Sequence, residues 1–240
     1  MDPEARVVRR VEIGTGEPAV VLEAGLNNGA AAWQRVMPLL APHVRVVAYD
    51  RAGIGGSAPA PGLVTIDRQI DDLASVITGL AAGPCVLAGH SWGGILVQLL
   101  AFRRPDLAAG LVLVDPGHEE MESGLPPAFQ WGWRVTHAVF HDELHEDAPV
   151  TEAAVREMRA AARPFPDVPV VVLSATGVLS ATSDFPHRFR ANWTRLQAGL
   201  AAAAPQGRHV VVDGTSHQIP VDRPDVVADT ILEVAAQVRA

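Results

Sequence analysis

The feature that most limits the fold is an alternation of short apolar runs with longer stretches of helical period. Val20 to Leu22, Arg45 to Tyr49, Cys85 to Ala88, Gly110 to Val114, Val170 to Leu173 and His209 to Val212 read as buried strands. Near-continuous apolar runs suit parallel strands covered on both faces. Between them, Ile66, Ile70, Leu73, Ile77 and Leu80 recur every three or four residues, as do Phe189, Trp193, Leu196 and Leu200, and again Val227, Ile231, Val234 and Val238. Thr65 and Asp222 are candidate N-caps. Repeated strand-then-helix order predicts an α/β fold with a mostly parallel sheet. Residues 6–13 add an antiparallel edge strand, and 240 residues suit one large core.

Composition removes several classes of function. The net charge of −8 and the lack of a basic run argue against a nucleic-acid partner. The single cysteine, Cys85, excludes a disulfide scaffold. No apolar run reaches the roughly 18 residues that span a bilayer. The charged start, Met1 to Arg6, carries no signal-like apolar stretch, so the expectation is a cytoplasmic protein with no membrane partner. All 19 basic residues are arginine, which removes any lysine nucleophile.

The alternation breaks once, between Gly117 and about Pro169. Two helical stripes appear there: Phe129, Trp133, Thr136, Phe140 and Leu144, then Ala154, Val155, Met158 and Ala162. The expected division is therefore a core of 1–116 and 169–240, with 117–168 as a helical lid. That lid sits at the strand edge where open α/β sheets bind ligands. Phe129, Trp131, Trp133 and Phe140 are candidates for an apolar substrate pocket, and equally for packing. His137, His141 and His145 share one helix face. A single helix does not easily wrap a tetrahedral ion, so they read as a solvated flank and no metal site is assigned. Nine acids and one base lie between Asp115 and Glu152, while the rest of the chain balances. Most of the negative excess thus falls on the proposed lid, where it would favour neutral or cationic substrates over anionic ones.

The strongest chemical signal is Gly89-His90-Ser91-Trp92-Gly93-Gly94, set between a strand and a helix. A serine at such a turn is forced into a strained backbone and projects its hydroxyl, while the glycines let neighbouring chain pass closely. The following helix N-terminus supplies unpaired N–H groups suited to an oxyanion. Serine needs a base. His217, in Asp213-Gly214-Thr215-Ser216-His217 after the last strand, is at the same sheet edge.

These residues resemble the α/β-hydrolase superfamily, in its serine hydrolase branch, over nearly the whole chain. Gly89 to Gly93 matches the nucleophile elbow. Asp50-Arg51-Ala52-Gly53-Ile54-Gly55-Gly56-Ser57 is similar to the family's D-R-x-G-x-G-x-S loop, and Ser216 to Pro220 with Arg223-Pro224 to its histidine loop. The resemblance implies seven or eight strands, with the lid after the sixth. Glu23-Ala24-Gly25-Leu26 takes the place of the oxyanion segment, with Ala24 where a histidine is usual. By that match the oxyanion hole is made by the N–H groups of Leu26 and Trp92. The short N-terminus leaves room for seven strands.

The acid is open between two positions. No acid follows Val170 to Leu173 directly; Asp184 comes later, before Phe185-Pro186, where it can equally cap a helix. Asp115 directly follows a strand and is favoured on placement. The expected protein is a cofactor-free esterase-like enzyme. It would cleave an ester, lactone or similar acyl bond of a small-molecule substrate with Ser91, His217 and Asp115. Three alternatives stand beside it: a proline-iminopeptidase-like aminopeptidase, a cofactor-free lyase or oxygenase of the same fold, and a non-catalytic binding module.

Overall fold

A computed structural model describes residues 8–59, 64–120, 165–177 and 184–239, with side chains from residue 190 onward in the last segment. Seven strands form one sheet: β1 Arg10–Ile13, β2 Val20–Glu23, β3 Val46–Tyr49, β4 Cys85–His90, β5 Ala108–Val114, β6 Pro169–Ala175 and β7 Gln206–Val212. Their order is β1-β3-β2-β4-β5-β6-β7. β1 runs antiparallel to β3, and every other pairing is parallel. With seven strands, the insertion follows the fifth, which an eight-strand count makes the sixth. Most of that insertion, 121–164, lies outside the described residues, and with it Phe129, Trp131, Trp133, Phe140 and the three histidines at 137, 141 and 145.

Among the described residues the α-helices are α1 Met37–Leu40, α2 Ile66–Thr78, α3 Trp92–Arg103, α4 Asp184–Ala203, α5 Ile219–Asp222 and α6 Pro224–Arg239. Strand geometry sends successive side chains to opposite faces, so the sheet builds two cores. Val21, Leu87, Leu111 and Val172 pack with Ile70, Leu73 and Ile77 of α2, Leu96 and Leu100 of α3, and Leu200 of α4. Val20, Leu22, Val86, Val112 and Leu173 pack with Leu40 of α1 and Val227, Ile231 and Val234 of α6. This double cover is why the strands read as unbroken apolar runs. Burying one such side chain contributes roughly 1.5–3 kcal/mol. Among the described residues no helix is long and apolar enough to cross a membrane.

The expected caps divide. Thr65 Oγ1 accepts from Arg68 N at 3.2 Å and opens α2. Asp222 does not cap the last helix. It ends α5, and α6 begins at Pro224, a residue whose fixed φ suits a first turn. The Asp222 carboxylate instead accepts from Ser216 N and Ser216 Oγ, both at 2.7 Å, and so braces the loop that carries His217.

Candidate active site

Ser91 stands between β4 and α3 with φ 52° and ψ −117°, in the left-handed half of backbone space. A non-glycine residue there costs on the order of 1–3 kcal/mol and persists only where its surroundings hold it. Ser91 N donates to Val114 O at 3.1 Å, and Ser91 O accepts from Gly94 N at 3.0 Å and Gly117 N at 2.9 Å. The elbow is therefore tied on both sides to the chain around Asp115.

Two glycines make room for this turn. A Cβ on Gly89 would lie 2.4 Å from Gly93 O, and one on Gly93 would lie 2.3 Å from Glu23 O. Both obstacles are backbone, so neither yields easily. Gly93→Ala should destabilise the protein by about 3 kcal/mol, the upper end for overpacking. Gly199→Ala on α4, where a Cβ meets nothing within 4 Å, should stabilise it by roughly 0.5–1 kcal/mol. Urea unfolding of the two variants against wild type checks both signs.

Asp115 follows β5 directly. Its φ is 41°, unusual for a residue other than glycine and more so before Pro116, where sterics favour extended backbone. Its carboxylate is fully buried and ringed by donors. Oδ1 accepts from Trp193 Nε1 at 2.8 Å and Ala175 N at 3.1 Å. Oδ2 faces His217 Nδ1 at 2.7 Å and accepts from Arg190 Nη1 at 3.3 Å. Burial alone would raise this carboxyl's pKa. The hydrogen bond and charge of His217, the Ala175 N–H and the Arg190 guanidinium outweigh it, and the net shift is downward. Asp184 is the first residue of α4, and its side chain lies outside the described set.

His217 lies in a pinned loop. Gly177 N donates to Thr215 O at 2.7 Å, Gly214 N to Thr176 Oγ1 at 2.9 Å, and Thr215 Oγ1 to Val212 O at 2.7 Å. Its ring is about one-third exposed. Trp193 meets it edge-on, with centroids 6.3 Å apart. Such an imidazole can accept a proton at one nitrogen while a carboxylate holds the other.

Sequence reasoning missed three residues here: His90, Arg190 and Trp193. His90 Nε2 lies 2.8 Å from His217 O, and a carbonyl acceptor makes that nitrogen the donor. The two rings are 4.8 Å apart. Burial, then the proximity of His217, pushes the His90 pKa down to about 4. The unfolded chain, with a histidine near 6.5, therefore takes up a proton that the native state refuses. Native stability should fall as pH drops from about 6.5 towards 4, by up to about 3 kcal/mol from this group. In His90→Gln that part of the slope should vanish, as urea unfolding at pH 7 and pH 5 would show.

The oxyanion candidates sit beside Ser91. Trp92 opens α3, so its N–H is one of the amides with no acceptor within the helix. Its indole turns away and donates to Gln69 Oε1 of α2 at 2.9 Å. Leu26 follows Gly25, where a Cβ would lie 3.4 Å from Ser91 Cβ. Asp50 organises the loop after β3: its Oδ1 accepts from Ala30 N at 2.8 Å and its Oδ2 from Gly56 N at 2.9 Å.

Comparison with known proteins adds the lineage. A model of the alpha/beta hydrolase family matches residues 20–230. RutD of Pantoea ananatis, a carbamate hydrolase candidate, is 26% identical over 243 residues, covering 89% of this chain and 86% of RutD. The lipase LipV of Mycobacterium tuberculosis is 38% identical over 104 residues, 43% of this chain and 39% of LipV. A thermophilic esterase from Thermogutta terrifontis shares the fold at TM-score 0.67 and 24% identity, covering 97% of this chain and 94% of the esterase. With a family match running from β2 into α6, this chain belongs to the alpha/beta hydrolase family and is a hydrolase.

Proposed function

We propose that the protein is a serine hydrolase acting on a carboxylic ester or a similar acyl bond of a small molecule, with Ser91, His217 and Asp115 as its triad. The observation that carries this reading is the pair Asp115 Oδ2 and His217 Nδ1 at 2.7 Å, at the sheet edge where the strained Ser91 turn is bound to residues 114 and 117. Ser91 Oγ attacks the acyl carbonyl as His217 Nε2 takes its proton. Asp115 holds the other ring nitrogen and stabilises the imidazolium. The N–H groups of Leu26 and Trp92 receive the oxyanion. The imidazolium then protonates the leaving alkoxide, and water, activated by His217, releases the acyl group from Ser91.

Carbamates fit the same steps, since their carbonyl is attacked in the same way, and the RutD relative points to including them. The test is a fluorophosphonate probe followed by peptide mass analysis. Stoichiometric modification at Ser91 is expected. A folded protein that stays unmodified would sink the nucleophile assignment. A panel of p-nitrophenyl esters, lactones, carbamates and amino-acid arylamides then separates esterase from aminopeptidase.

A further inference from the structure

Arg51 is a buried arginine that the triad does not use. It lies in the loop after β3 and turns inward against the end of β2. Its Nη1 is 2.5 Å from Glu23 Oε1 and donates to Ala24 O at 2.8 Å. Its Nη2 donates to Gly25 O at 2.7 Å. Glu23 is buried too, and its second oxygen accepts from Tyr49 Oη. The guanidinium fork thus spans one carboxylate and two successive carbonyls, a geometry that lysine cannot reproduce.

Gly25 O and Leu26 N–H belong to one peptide unit. That unit is planar and trans, so its carbonyl and its N–H point in opposite directions. Whatever fixes Gly25 O therefore aims Leu26 N–H. Gly25 O is fixed by Arg51 and also accepts from Asn28 N at 3.1 Å. A cation on the carbonyl also polarises the peptide and makes its N–H a stronger donor. The Gly25 end of this peptide unit is packed against the elbow: a Cβ on Gly25 would meet His90 Nδ1 at 3.2 Å and Ser91 Cβ at 3.4 Å.

We infer that Arg51, charge-balanced by Glu23, is a positioning residue that aims and polarises the Leu26 N–H as an oxyanion donor. The inference rests on the serine-hydrolase reading above. Arg51→Lys keeps a charge but loses the fork. Glu23→Gln with Arg51→Met removes the pair without stranding a carboxylate. Both variants should lose about 10²-fold in kcat on p-nitrophenyl acetate, the scale of one oxyanion donor. KM should stay within about threefold, and affinity for a trifluoromethyl ketone should fall in step with kcat. A folded variant with unchanged kcat, or with only KM raised, overturns the inference.

If neither variant folds, the wild-type enzyme still decides. The assigned Leu26 amide proton should move downfield when benzeneboronic acid adds to Ser91, and an unmoved resonance refutes its role as a donor. Fluorophosphonate modification of wild-type Ser91 separates the two failures. A labelled wild type with an unaffected Arg51→Lys removes only the clamp. An unlabelled wild type removes the serine-hydrolase reading and the clamp with it.

Discussion

Ser91→Ala should lower kcat on a p-nitrophenyl ester by on the order of 10⁶-fold, which is about 8 kcal/mol of barrier. The substitution removes one oxygen and keeps the Cβ, so the strained backbone at φ 52° is neither relieved nor worsened. The elbow's hydrogen bonds to Val114 O, Gly94 N and Gly117 N all use main-chain atoms and survive the change. Thermal unfolding should therefore match wild type while turnover collapses. That contrast makes the variant informative. Retention of most activity in folded Ser91→Ala would move the reading to chemistry in which His217 acts as a base without a covalent intermediate. The lyase and oxygenase alternatives are of that kind.

Asp115→Asn should cost about 10⁴-fold in kcat. An amide at this position no longer favours the tautomer in which His217 Nδ1 carries the proton, and it cannot offset a developing imidazolium. The substitution also leaves the Arg190 guanidinium, only 13% exposed, without its counter-charge. Removing one partner of a buried pair costs about 3 kcal/mol or more. Stability should drop together with activity, which would blur the kinetic result. Pairing Asp115→Asn with Arg190→Met separates the two effects. Stability should recover substantially while kcat stays low. Asp184→Ala, by comparison, should leave kcat within about threefold of wild type. Full activity in folded Asp115→Asn, with a large loss in Asp184→Ala, would reverse the assignment of the acid.

The parts of this protein that were legible in the sequence are those set by short-range pattern. The central strands, α2 and α6 follow from periodicity because each has a definite burial, on two faces for a strand and on one stripe for a helix. The edges were harder to read. β1 covers Arg10–Ile13, leaving Val8 and Arg9 of the expected strand outside it, and β7 begins at Gln206, three residues earlier than its apolar run. Edge residues face water, so polar side chains and Gly207 hide the strand pattern there.

The same distinction holds at the candidate site. Ser91 announces itself because its turn needs Gly89 and Gly93 at fixed neighbouring positions. Asp115 could be proposed from its place at a strand end. Arg190 and Trp193 could not, since they reach Asp115 from 75 and 78 residues away. Within α4, Trp193 reads simply as one more apolar position. His90 carries no signal beyond its place beside Ser91, and its link to His217 spans 127 residues. Arg51 belongs to a recognisable loop motif, yet nothing local says that it folds inward onto the carbonyls of Ala24 and Gly25. Contacts across the sheet edge depend on strand order, which the alternation of elements does not specify.

The positive φ at Ser91 bears on how such a protein could change over generations. Ser91 occupies backbone that glycine enters freely, so glycine there would ease the native state by about 1 kcal/mol or more. Selection for heat resistance alone would favour that glycine and remove the proposed nucleophile. Serine at 91 would thus be held by use, against a steady thermodynamic pull towards an inert scaffold, whereas Asp115 is also held by the Arg190 guanidinium that it balances.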